Sequence, residues 1–330
     1  MISLEKFHLF YEENKEKLPI KQSGRHPVDN DNFTTWINRQ GDDDSSERIF
    51  ADLLRKYTRY VPYSEFYDKI ERISADVRTV VSVYKPKNFV ILILGMTWNE
   101  PIKKSPVWVG LLYYGILQEK VTHILTDIRD VIQLAKTEKT LCIIAEDASY
   151  TGNQLKSFIG DIKIDIGTKN NIEFFLGAPY ISKKAKSIVK SALGGCYISS
   201  VTDIFHTIKD NVANEPSAIK EIAKKSKGYD DISKNYTIYF DHKLADTYSI
   251  IQSIYALGRD LSSENRSDKV LTLIKNCDYS GYELDPTQAY SDIQTKIGAS
   301  KMCPTPIYKL IDYTYEGKKL DSFDPMYYIQ

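Results

Sequence analysis

Two adjacent acids, Glu146 and Asp147, close an apolar run in LCIIAEDASYTGNQL, residues 141–155, and small and hydroxylated residues lead on into a helix-like stretch. Carboxylates at the end of a strand can accept hydrogen bonds from sugar hydroxyls or hold a hydrated divalent ion. Ser149, Tyr150, Thr151, Gly152 and Asn153 then form a short loop. Backbone N–H groups at a helix start, with Ser and Thr hydroxyls beside them and a glycine permitting close approach, make an anion site suited to a phosphate. Acids for hydroxyls and a nest for phosphate, a few residues apart, describe a site for a ribose 5-phosphate. The plainer alternative is an ordinary α/β turn in which Asp147 caps the following helix.

Either reading needs a strand that ends in the acids and neighbours that frame it. From Phe89 the sequence alternates short apolar runs with helical segments: FVILIL, SPVWVGLLYYGIL, VTHIL, TLCIIA, a helix after Asn153, IEFFLGA, a helix over residues 182–192, and CYISSV. Continuous apolar runs alternating with helices predict a parallel sheet buried on both faces, with ligands collecting at the carboxyl ends of its strands. The fold class is therefore α/β, with a Rossmann-like core over residues 85–205. Residues 1–84 read as a helical N-terminal extension. Phe66, Ile70, Ile73, Val77, Val80 and Val81 recur at helical spacing and predict an amphipathic helix over residues 64–83. Asp44 and Glu47 have capping-box spacing ahead of Ile49, Phe50, Leu53 and Leu54. GDDDSS lacks the ligand alternation of a calcium loop and reads as a solvated helix start, and KQSGRHPVDNDN reads as an exposed loop. Residues 206–330 form a C-terminal hood or cap, with one clear strand, YTIYF, a helical ADTYSIIQSIYALG and a tyrosine-rich tail.

Composition limits the function classes. The 330 residues are 42% apolar and 27% charged, the balance of a globular protein with a sizeable core. With 44 basic and 44 acidic residues there is no global field for nucleic acid or an anionic membrane, although a local basic patch is not excluded. Cys142, Cys196, Cys277 and Cys303 lie far apart, and no histidine joins them at zinc spacing, which fits a reduced compartment. The N-terminal MISLEKFHLFYEENKEK has no signal-peptide core, and FVILILG is too short to span a bilayer, so a cytoplasmic protein without a membrane partner is expected. There is no GxSxG elbow, HExxH zinc site or Walker lysine loop.

Apolar strand, paired acids, two variable positions and a residue before Thr-Gly resemble the phosphoribosyl pyrophosphate (PRPP) loop of type I phosphoribosyltransferases. The resemblance covers residues 85–205, and residues 143–155 carry its motif. The Lys, Ile, Asn and Tyr bias is similar to that of the phosphoribosyltransferase-like proteins of large DNA viruses. By position, the resemblance gives Glu146 and Asp147 the catalytic pair that holds the ribose 2- and 3-hydroxyls. It gives Ala148, Ser149, Tyr150, Thr151, Gly152, Asn153 and Gln154 the 5-phosphate, Gln154 replacing the usual small hydroxylated residue. The family's pyrophosphate loop follows an earlier strand, where Gly95, Met96 and Thr97 would supply backbone donors and Lys103 or Lys104 a counter-charge. This match is positional, and Glu100 would repel pyrophosphate. Residues 121–140 are too short for the family's mobile hairpin.

The hood candidate is YFDHKLAD, where Asp241, His242 and Lys243 would face the nucleophile, Lys243 contacting a base carbonyl or pyrophosphate and His242 moving a proton. The same residues also read as a strand end with a surface ion pair. CPTPIYK reads as a structural turn rather than a reactive thiol. The resemblance implies a Mg2+-dependent transfer to a nucleobase-like acceptor, with pyrophosphate leaving C1 of PRPP and Asp147 near the metal through bound oxygens. The rival reading is a non-catalytic protein that keeps the fold to sense PRPP or a nucleotide, or to serve as an interaction scaffold. A hydrolase of nucleotides or nucleosides is a third class. The N-terminal helices also offer a face for a homodimer.

Overall fold

The computed structural model describes residues 3–15, 45–61, 63–96, 105–160, 166–226 and 229–240. Outside these lie the expected loop over residues 21–32, Asp44, Thr97 and the lysines after it, YFDHKLAD beyond Phe240, ADTYSIIQSIYALG and CPTPIYK. The chain divides into two compact units, Met1–Lys21 with Ser64–Phe205, and Gln22–Tyr63 with His206–Ile329. Residues read together as an N-terminal extension thus contribute to both.

In chain order, α1 (Leu4–Asn14) belongs to the first unit, and α2 (Ser46–Tyr57) and β1 (Arg59–Val61) to the second. The first unit resumes with α3 (Tyr63–Tyr84), β2 (Asn88–Leu92), α4 (Ser105–Leu117), β3 (His123–Leu125), α5 (Ile128–Ala135) and β4 (Thr140–Ala145). It continues through β5 (Ala148–Ser149), α6 (Asn153–Ile159), α7 (Ile166–Asn170), β6 (Ile172–Gly177), β7 (Tyr180–Ser182), α8 (Lys183–Ala192), β8 (Tyr197–Ile198) and β9 (Asp203–Phe205).

Five strands form one parallel sheet in the order β3-β2-β4-β6-β8. The expected α/β class is therefore what the chain adopts. β4 is buried at every position because both faces are covered. On one face Val90, Leu92, Cys142, Ile144, Phe174 and Leu176 pack with α5, α6 and α8 in one apolar cluster. On the other lies α4, whose sequence is apolar all round because neighbours cover it all round. Gly110 sets its approach: a Cβ there would stand 2.6 Å from Ile93 Cδ1. α3 and α1 close this side. Phe66, Ile70, Ile73 and Val77 of α3 are fully buried, as their spacing predicts, and the Phe66 ring lies 5.4 Å from Trp108 of α4. Phe7 of α1 meets Tyr114 of α4 edge-on at 5.2 Å.

β5, β7 and β9 form a second parallel sheet in that order. Each follows one strand of the main sheet, so β4, β6 and β8 break and resume as β5, β7 and β9 with the same neighbours. The breaks are tied together. Glu146 N–H donates to the Gly177 carbonyl at 3.2 Å, Asp203 N–H to Pro179 at 2.9 Å, and the Thr202 hydroxyl to Ala178 at 3.0 Å. α3 grips this second sheet, with Lys69 pairing Asp203 at 3.1 Å and Glu65 accepting the Tyr180 hydroxyl at 2.8 Å.

The second unit adds α9 (Ile208–Val212), α10 (Ser217–Ala223), α11 (Tyr229–Ile232) and β10 (Ile238–Phe240). β10 is the strand expected in YTIYF, and it pairs in parallel with β1, Arg59 opposite Ile238. Ser45, one residue beyond the expected Asp44, caps α2 by accepting the Arg48 N–H. Glu215 accepts the Tyr57 hydroxyl and the Lys56 ammonium, which holds its carboxyl below the usual glutamate range. Among the described residues no helix is long and apolar enough to cross a membrane.

Candidate functional site

The main sheet changes direction at β2. β3 lies on one side of it, and β4, β6 and β8 follow on the other. In open parallel sheets such a switch point opens a crevice at the carboxyl ends of the two central strands, here β2 and β4. Leu92 pairs with Ile144, so Ile93–Met96 and Glu146–Asp147 leave the sheet at the same edge. Both stretches singled out from sequence therefore start at the switch point. Gly95 turns the chain just past β2 with φ +71°. Met96 is buried, and Thr97, Lys103 and Lys104 lie outside the described residues.

Glu146 and Asp147 occupy the break between β4 and β5, and they are 4% and 0% exposed. Asp147 Oδ1 accepts the Ala148 N–H at 2.7 Å, and Glu146 Oε1 accepts the Asp147 N–H at 3.2 Å. Asp147 therefore turns to its own break and does not cap α6, as the plainer reading had it. The cap position is Gly152, at φ +73°.

The loop is held from outside itself. Ala148 and Ser149 are buried as β5, opposite Tyr180 and Ile181. Tyr150 packs edge-on against Phe205 at 5.2 Å, and its carbonyl accepts the Ser182 hydroxyl, which also caps α8 by taking the Ala185 N–H at 2.9 Å. Thr151 is half-buried and its Oγ1 accepts the Asn153 N–H at 3.3 Å, while Asn153 and Gln154 are exposed on the first turn of α6. A Cβ on Gly152 would stand 3.0 Å from Ala185 Cα and 3.2 Å from Ile188 Cβ. Close packing on α8 thus requires this glycine before any ligand is considered. Ser182, Ala185 and Phe205 are supports that sequence reading missed, because no local pattern links them to a loop so far back in the chain.

The structure brings together Glu146 to Gln154 and sets Gly95 and Met96 at the same sheet edge. Asp241, His242 and Lys243 lie outside the described residues. Among the described residues no three His, Cys, Asp or Glu side chains cluster as a metal site. Comparison of the chain with protein-family models, curated proteins and solved structures gave no match.

Proposed function

We propose that the first unit binds a ribose 5-phosphate group, as PRPP or a nucleotide, at the carboxyl ends of β2 and β4, and so works as a phosphoribosyltransferase-like protein. The observation that carries this reading is topological. The acid pair and the Thr151–Gly152 loop follow β4 at the sheet's switch point, where parallel α/β sheets bind ligands. Exposed Asn153 and Gln154 and half-buried Thr151 are loop side chains open to a phosphate in solvent.

A specific observation favours binding over transfer. In a transferase the two acids touch the ribose, whereas here both are buried in the break between β4 and β5 and each accepts a backbone N–H. Burying a carboxylate is costly unless it is hydrogen-bonded, so freeing Glu146 Oε1 and Asp147 Oδ1 for ribose would cost the bonds those two atoms make. The non-catalytic reading, a PRPP or nucleotide sensor that keeps the fold, needs no such exchange. Mg2+ is ordinarily held by one or two carboxylates together with substrate phosphates, so it needs no cluster of three protein ligands. Mg2+ enters this reading only as the counter-ion of PRPP.

Calorimetry of the full chain with PRPP and Mg2+ tests the proposal, with Gln154→Glu as the comparison. A carboxylate about 4 Å from a phosphate in high dielectric costs ~1 kcal/mol, so the variant should bind about fivefold more weakly with unchanged stability. Absence of binding by the native chain to both PRPP and a nucleoside monophosphate sinks the reading. Pyrophosphate release with any common nucleobase would replace the sensor with a transferase.

A further inference from the structure

The charge of the chain is balanced overall but not along it. From Phe174 to Thr202 there are four lysines and no acid, and all four lie on α8: Lys183, Lys184, Lys186 and Lys190. At 100° per residue these lysines, with Ser187 and Ser191, fall on one face, and Ala185 and Val189 on the opposite face are fully buried. Lys183, Lys184 and Lys190 are exposed. Among the described residues none of the four forms an ion pair. α6, which packs beside α8, brings Lys156 and no acid.

This arrangement works against the helix that carries it. Lys183 and Lys184 stand in the first turn, at the positive end of the helix dipole, and no acid offsets them there. Lys186 and Lys190 are a like-charged i,i+4 pair, and Lys183 and Lys186 an i,i+3 pair, each destabilising by a few tenths of a kcal/mol. A solvated helix face needs none of this, as α3 of the same unit shows by mixing Glu65, Asp68, Lys69, Glu71 and Arg72. The field of Lys186 and Lys190 also reaches Cys196, pulling against the burial that raises its thiol to about 11.

We propose that the lysine face of α8 binds the phosphodiester backbone of duplex nucleic acid without reading its sequence. The stripe from Lys183 to Lys190 is about 10 Å long, and a duplex presents a negative charge every ~1.7 Å of its axis, so several phosphates lie opposite it. Lysine and serine are backbone-contacting residues. The stripe has no planar Arg, Asn or Gln fork, its Lys and Ser being the groups that also make backbone contacts, and α8 has no aromatic ring on which single-stranded bases could stack. An anionic membrane fits less well, because an interfacial helix inserts its apolar face, and that of α8 is committed to the core. The lysine face uses none of the proposed ribose-phosphate residues, although that loop packs on the same helix through Gly152 and Ala185.

The test is fluorescence anisotropy of the full chain with a labelled 20-base-pair duplex at several salt concentrations. With all four lysines engaged, log K should fall against log salt with a slope of about −3.6. Lys183→Gln with Lys190→Gln should bring the slope to about −1.8 and weaken binding roughly 60-fold at 0.1 M salt. Lys183 opposes the helix dipole whereas Lys190, in the last turn, favours it, and both repel Lys186, so the thermal midpoint should stay close to native and a fold defect cannot pass for the expected loss. The proposal is overturned if the native chain does not bind the duplex, or if the double variant binds as the native chain does. Binding to phosphatidylserine vesicles in place of the duplex also overturns it.

Discussion

Replacing Gly152 with alanine separates a glycine kept for packing from one kept for a ligand. Gly152 has φ +73°, where an L side chain costs about 1–2 kcal/mol. The added Cβ would also meet Ala185 Cα at 3.0 Å and the Ala185 carbonyl oxygen at 3.3 Å. Those are backbone atoms at a buried position of α8, so relief requires α6 or α8 to move, and overpacking of this kind costs a further ~1–3 kcal/mol. Gly194 supplies the control, because its φ is +66° and its nearest neighbour is the flexible Lys169 Nζ at 3.6 Å. Gly194→Ala should therefore lose only the conformational part, about 1–2 kcal/mol, and Gly152→Ala roughly 3 kcal/mol. Urea unfolding followed by circular dichroism reads both as shifts of midpoint at constant slope. Equal losses for the two variants would refute the packing argument. A Gly152→Ala chain of native stability that no longer binds PRPP would return the glycine to the ligand.

Two further outcomes follow from the same geometry. Tyr113 is fully buried beside Gly177, its hydroxyl has no hydrogen-bond partner among the described residues, and burial holds its pKa well above the ordinary tyrosine value. Tyr113→Phe should then stabilise the first unit by about 1 kcal/mol in the same urea assay, and a loss of that size would mean that the hydroxyl is bonded in solution. In the second unit, Lys56 and Tyr57 hold the Glu215 carboxyl below its ordinary pKa, so the folded state favours the carboxylate. That stabilisation is present above the unfolded value near 4.5 and is lost as pH falls through the depressed one. Glu215→Gln should flatten the fall of the urea midpoint between about pH 5 and pH 3, and a variant with the native pH profile would exclude the pair as its source.

The central strands were legible because each is an apolar run of the right length between helices: TLCIIA is β4 residue for residue, and IEFFLGA contains β6 and runs one residue past it. SPVWVGLLYYGIL was less so. A helix covered on all sides has no hydrophobic period, and its sequence does not tell it from a buried strand. α5 escaped notice within residues 121–140, read only as too short for a mobile hairpin, although Asp127 caps it and Ile128, Val131, Ile132 and Ala135 mark its buried face. The pairing of β1 with β10 joins strands of three residues each from distant parts of the chain, and nothing local to either names the other.

The second sheet was the least legible feature, and it is the one that alters the reading of the site. β5, β7 and β9 are too short for any pattern of alternation to register. They form because three parallel neighbours break at one level and can resume pairing only with one another. From sequence, Glu146 and Asp147 end a strand, and the acids at a strand end face a crevice. In the fold that strand resumes two residues later as β5, so the acids sit in a seam between two sheets. A carboxylate in a seam is held by backbone N–H groups, as Ala148 holds Asp147, and its first role is to satisfy a break in the sheet. Ligand chemistry at this edge then rests on what remains open, the turn through Thr151 and the start of α6. A substitution at Gln154 therefore tests function, and one at Asp147 tests the fold as well.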